Sequence, residues 1–141
     1  MANGTIHKEY TKSEVTTLVN KINTGITSAS PSGVSVPYNT LTNIASITVK
    51  KGMNLIIAHA TFAASGSTSY RQIGIAENTT SANMWQITLQ RIRGVDNVAT
   101  PLSLYFFYNA SAAKTLYLNV KHTHGTAITV TGRMQAYNFK S

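Results

Sequence analysis

Apolar and polar positions alternate with period two along most of this chain, the spacing of half-buried strands rather than of helices. Leu116, Leu118 and Val120 share one parity, against Tyr117, Asn119 and Lys121 on the other. From Val34 onward the candidate strands are Val34–Tyr38, Ile44–Val49, Met53–Ala64, Tyr70–Ala76, Met84–Ile92, Leu102–Tyr108, Thr115–His122, Ala127–Val130 and Arg133–Phe139. Turn-like spacers at 64–69, 77–83, 109–114 and 123–126 separate several of them. Short strands at this interval predict an all-β, two-sheet antiparallel jelly-roll sandwich.

Two segments break the alternation. In Met53–Ala64 one parity carries Ile56, Ala58, Ala60 and Phe62, while the other carries Met53, Leu55 and Ile57 instead of polar residues. Leu102–Tyr108 is likewise apolar on both faces. A helix is the rival reading of the first segment, but no helical start or stop signal flanks it. One sandwich has one interior to fill, so the second apolar face must meet something else. A copy of the same chain is the simplest partner. That reasoning places Leu55, Ile57, His59, Tyr105 and Phe107 at an interface between copies.

The N-terminal part differs. Thr11-Lys12-Ser13-Glu14 has the form of a capping box, and Val15, Leu18, Val19, Ile22 and Ile26 follow at helical spacing. One amphipathic helix of this length is unstable alone, so it packs either on the domain or on copies of itself. Residues 28–33 read as a linker. The expected organisation is a helical neck and linker over 1–30 and a β-sandwich head over 31–141.

Composition narrows the function. Of 141 residues only 11% are charged, and there is no cysteine, which removes disulfides, thiolate metal sites and thiol nucleophiles. No apolar run is long enough to cross a membrane as a helix, and Met1–Asn20 lacks a signal-peptide core. Twelve Lys and Arg face four acids, a net charge of +8. It is either a solvated, solubilising surface or one that favours anionic partners: nucleic acid, phosphate-bearing wall polymers or acidic polysaccharide. Nucleic acid is the weakest of these, because no basic stripe alternates with aromatic residues. Arg91 and Arg93 share a parity and form either a basic spot or an inter-chain contact.

Catalytic chemistry finds little footing, and no enzyme activity or cofactor is expected. Glycoside hydrolysis needs two carboxylates across one bond, yet Glu77 and Asp96 are the acids of the β region, each in a turn-like context. There is no Gly-x-Ser-x-Gly elbow and no phosphate-cradling glycine loop before a helix. His122-Thr123-His124 sets two imidazoles at period two, which with His59 or symmetry copies would suit an ion; a solvated loop pair is the plainer reading, and no metal is assigned. His59 itself reads as a core or interface histidine. For ligand contact, Trp85 offers a stacking face for a sugar, with Asn83 and Gln86 as amide partners; a place in the sandwich core is its alternative. Tyr70 and Arg71, emerging from the Ser-rich loop, would add a ring and a guanidinium for phosphate or uronate oxygens; a strand start with an exposed arginine is the alternative.

Some of these segments carry a resemblance. The long apolar strand ending in Ala-Thr-Phe-Ala-Ala (60–64), then Tyr-Arg-Gln-Ile-Gly-Ile (70–75), is similar to a pattern in C-terminal heads of phage and prophage tail fibres or receptor-binding proteins. So are Leu-Tyr-Leu-Asn-Val (116–120) and the run 125–137. Such heads resemble the tumour-necrosis-factor and complement-globular-head jelly rolls. The resemblance implies a homotrimer at a virion tail tip, recognising a host cell-wall saccharide or surface receptor, joined to the rest of a tail fibre by its neck. A purely architectural trimer without its own ligand is the alternative.

Overall fold

The computed structural model describes residues 11–23, 26–66, 68–79 and 87–139. Among them one helix, α1 (Lys12–Asn23), precedes nine strands: β1 (Ile26–Ala29), β2 (Val34–Val36), β3 (Thr42–Val49), β4 (Gly52–Phe62), β5 (Tyr70–Ala76), β6 (Thr88–Arg93), β7 (Thr100–Ala110), β8 (Lys114–His122) and β9 (Ile128–Phe139). Sheet I has the order β1-β9-β4-β7, with β2 also paired to β9; sheet II has the order β3-β8-β5-β6. All pairings are antiparallel. The chain changes sheet at most connections, which gives the jelly-roll arrangement expected from the strand pattern.

The inward parities meet as predicted. Ile56, Ala58, Ala60 and Phe62 of β4 face Ile73 and Ile75 of β5 and Leu116, Leu118 and Val120 of β8 across one buried core. Each large aliphatic or aromatic side chain buried there contributes roughly 1.5–3 kcal/mol relative to exposure.

Local chemistry fixes the turns. At Lys50-Lys51-Gly52 the chain needs Gly52 at φ +102°, a conformation that a side chain disfavours. The buried Asn54 amide donates to Lys50 O at 2.9 Å and Gly52 O at 2.8 Å, and Asn138 from β9 donates to Lys51 O at 3.2 Å. In β3 a bulge between Asn43 and Ala45 turns both Ile44 and Ala45 inward. Asn43 holds the bulge by donating to Ala45 O at 2.9 Å.

Several boundaries differ from the sequence reading. Ala127–Val130 and Arg133–Phe139 are one strand, because Gly132 continues the ladder opposite Ala60. A Cβ at Gly132 would lie 3.0 Å from His59 O and 3.1 Å from Ile44 Cδ1, so glycine serves close approach there, not a turn. Ser28 and Ala29, expected in a linker, belong to β1, which pairs with β9. Ile26 likewise starts β1 and is no part of the helical stripe. Thr11 does cap α1, its Oγ1 accepting from the Glu14 N–H at 3.1 Å. Val15 on that helix is exposed, and the packing of Leu18, Val19 and Ile22 lies outside the described side chains.

Candidate functional site

The outward parity of sheet I forms a continuous lattice. Register places Leu55 between Tyr137 and Phe107, Ile57 between Gln135 and Tyr105, and His59 between Arg133 and Ser103. Ile26 extends the first of these rows beyond Tyr137, and Phe139 lies beside Met53 in the next. Leu55, Ile57, His59, Tyr105 and Phe107, singled out in the sequence, therefore share one face. Tyr105 is 81% and Phe107 67% exposed, with Phe139, Met53 and Ile26 also open. A contiguous patch of this kind is unusual on a soluble monomer. His59 is exposed on this face, which removes the core alternative for it and leaves the interface one.

At one end of the sandwich the structure overturns two expectations. Arg71 shares its parity with Ile73 and Ile75 and is only 1% exposed, so it points inward and does not reach outward to a ligand. Its Nη1 donates to Ser69 O at 2.9 Å and to Ser69 Oγ, and its Nη2 donates to Ser65 Oγ. The guanidinium thus pins the Ser-rich loop to the sandwich end. Gly94 makes room for it: a Cβ there would lie 3.1 Å from Arg71 Cζ.

His122, opposite Arg71 in the β5–β8 register, is also buried, not part of a solvated loop pair. The His124 N–H donates to His122 Nδ1 at 3.1 Å, and Nε2 donates to Val36 O at 2.7 Å. An Nδ1 that accepts cannot carry a proton, so the ring is held neutral. Burial lowers its pKa below 6.5; the Val36 carbonyl opposes this and the nearby Arg71 charge adds to it. Its ring packs edge-on to Phe62 with centroids 6.4 Å apart. The described residues contain no cluster of three His, Cys, Asp or Glu suited to a metal. His59 sits on the outer face of sheet I and does not join His122 and His124.

The two acids of the β region lie apart. Glu77 follows β5, where its Oε1 accepts from Tyr108 Oη and its Oε2 lies 3.1 Å from Lys114 Nζ. The Tyr108 hydrogen bond, then Lys114, lowers the Glu77 pKa, while burial and the carboxylate push Tyr108 up to about 12. Asp96 belongs to the loop packed on Ser65, Gly66 and Ser69, at the other end of β5. A seven-residue strand separates them, about 20 Å at 3.3 Å per residue, which exceeds any spacing that two-carboxylate glycoside hydrolysis uses.

The outer face of sheet II is basic. Tyr70 pairs with Arg93, and Gln72 sits between Arg91 and Lys121. Arg91 Cζ lies 4.7 Å and Arg93 Cζ 5.5 Å from the centroid of the half-exposed Tyr70 ring. Arg91 and Arg93 do face the same way, as their shared parity implied. Lys121 joins them through register alone; its own alternation with Leu118 and Val120 carried that signal, but its distance in sequence concealed the partnership. Asn83, Trp85 and Gln86 lie outside the described residues. No helix among the described residues is long and apolar enough to cross a membrane.

No protein-family model matches the chain, and no curated protein matches it in sequence. Solved structures match it in fold. The structure of infectious bursal disease virus, Gx strain, aligns with a TM-score of 0.56 at 8% identity, over 80% of this chain and 32% of that one. The crystal structure of the VP2 subviral particle of the same virus gives 0.53 at 7% identity, with coverage of 80% and 32%. The chain thus spans about a third of the length of those proteins, and the likeness is one of fold: a jelly-roll β-sandwich of the kind found in virus particles.

Proposed function

We propose that this chain is a virion structural head that assembles as a homotrimer through the outer face of sheet I and recognises a host cell-surface saccharide. The observation that carries the reading is the lattice of Leu55, Ile57, Tyr105 and Phe107, an apolar face on a domain whose core is already complete. A second copy covers such a face most economically, because both partners then bury the same kind of surface. Copies related by a closed symmetry present several identical sites, so weak single contacts sum to firm attachment. Helix α1 precedes the head and is the segment by which it would join the rest of a tail fibre. Fold likeness to virus-particle structures supports the virion setting, and it equally favours the second reading, an architectural trimer with no ligand of its own.

Sedimentation of the purified chain is expected to give three times the 15.2 kDa subunit mass. The double variant Tyr105→Glu with Phe107→Glu is expected to give single folded subunits. A wild-type chain that stays a single subunit at micromolar concentration overturns the assembly. Retention on purified host cell walls, reduced by Trp85→Ala at unchanged mass, distinguishes recognition from architecture. A trimer that no wall preparation retains leaves the architectural reading.

A further inference from the structure

The outer face of sheet II carries chemistry that self-assembly through sheet I does not use. We infer that Arg91, Arg93 and Lys121, arranged around Tyr70, form a binding site for an anionic glycan, a sugar or polyol chain bearing phosphodiester or uronate groups. The inference rests on the saccharide-recognition reading and names the ligand class and the site.

Three features support it. The first is mounting. Tyr70 is fixed at its backbone by Thr123, whose Oγ1 accepts from the Tyr70 N–H at 3.0 Å and whose N–H donates to Tyr70 O at 3.1 Å. The ring in turn positions both guanidiniums by cation–π contact, limiting the side-chain freedom that binding would otherwise have to quench. The second is uncompensated charge. Among the described residues no carboxylate pairs with Arg91, Arg93 or Lys121, whereas Lys114 does find Glu77. Two guanidiniums held over one ring are separated by at most about 10 Å, close enough for one anionic group or two neighbouring ones to meet both. The third is spacing. Arg91 and Arg93 stand two residues apart on one strand, about 7 Å, and Lys121 stands two strands from Arg91, about 10 Å. Charges repeating along a flexible chain can meet such a grid in succession. Gln72, between Arg91 and Lys121, adds an amide for neighbouring hydroxyls.

The arrangement favours a glycan over nucleic acid. Single-strand binders stack successive bases on open aromatic faces. Here the patch has one ring, and guanidiniums already occupy it. Its chemistry is that of oxyanion capture, for which arginine's planar fork is well suited.

The test measures binding of the full chain to immobilised polymers at low and physiological salt. The probes are polyglycerol phosphate, polygalacturonate, neutral dextran and a single-stranded oligonucleotide. Expected is retention on at least one of the two anionic polymers, weakened by salt, with none on dextran. Phosphate and carboxylate sources are told apart by which of the two is held. Arg91→Gln with Arg93→Gln is expected to lower that affinity at least tenfold, and Lys121→Gln by a smaller factor, with the oligomeric state and melting temperature unchanged. Tyr70→Phe retains the affinity and Tyr70→Ala lowers it. Binding unaffected by the arginine pair overturns this site, as does an oligonucleotide held more tightly than either anionic polymer. A chain that binds neutral wall glycan with the pair replaced keeps the recognition reading and loses this site. A chain that binds no wall and no polymer loses both.

Discussion

At the scale of single residues, the side chains that look most available for chemistry hold the fold together instead. Arg71 and His122 are opposite one another at one end of the core, and each is enclosed by hydrogen bonds to the loops it braces. For His122 this has a pH consequence. Its native pKa lies below the unfolded value of 6.5, so the unfolded chain takes up a proton that the native state refuses. The stabilisation is present in full above about pH 6.5 and is lost as pH falls from there toward the native pKa. Arg71 and His124 are the charged and titratable groups acting on the ring, and Arg71, which stays protonated, sharpens the refusal. Urea midpoints of the wild type are expected to fall between pH 7 and pH 5, with a shallower fall in His122→Asn. Equal slopes in the two proteins would place the native pKa at its ordinary value. Gly94 makes the companion case. Alanine there would meet the Arg71 guanidinium at 3.1 Å and Ser69 O at 3.3 Å, so Gly94→Ala is expected to cost about 1–3 kcal/mol. The cost should shrink in an Arg71→Met background, whose side chain ends short of that contact, and a chemical-denaturation cycle of the four proteins measures the difference.

At the scale of elements, the sequence was legible wherever one rule decided the outcome. Parity alone placed Ile56, Ala58, Ala60 and Phe62 inside and Leu55, Ile57, Tyr105 and Phe107 on one outer face. The same rule, applied to Tyr70–Ala76, would have turned Arg71 inward beside Ile73 and Ile75. Its charge and its place beside a Ser-rich loop argued the other way, and the buried row prevailed because the serines of that loop accept from both terminal nitrogens of the guanidinium. The errors at strand ends have a shared cause. Gly132 reads as a break only if glycine means a turn; in β9 it marks where His59 O and Ile44 press close. Ile26–Ala29 reads as the end of a helix and a linker until β9 supplies a ladder for it, a partner more than a hundred positions away. Lys121 escaped for the same reason, since nothing local links it to Arg91 across β5. Local pattern thus set strand existence and facing, while pairing over long separations set the boundaries and the composition of the basic patch.

At the scale of the whole molecule, the two outer faces differ in chemistry. Sheet II presents cations and amides around Tyr70, with Leu89 as an exposed aliphatic residue, whereas sheet I presents whole rows of rings and aliphatic chains. A net charge of +8 would oppose the approach of copies if it were spread evenly, yet the apolar rows of sheet I hold no lysine, with Arg133 at their margin beside His59. The proposed self-association through that face would have a thermodynamic signature independent of mass. If folding and assembly are coupled, dilution favours the unfolded single chain by mass action, and the melting temperature falls as protein concentration is lowered. For the wild type the midpoint is expected to rise by several degrees over a hundredfold increase in concentration. For Tyr105→Glu with Phe107→Glu it is expected to be independent of concentration, because removing two exposed rings leaves the jelly-roll core untouched. A wild-type midpoint that does not move over that range would mean that sheet I stays open to solvent and that each copy stands alone.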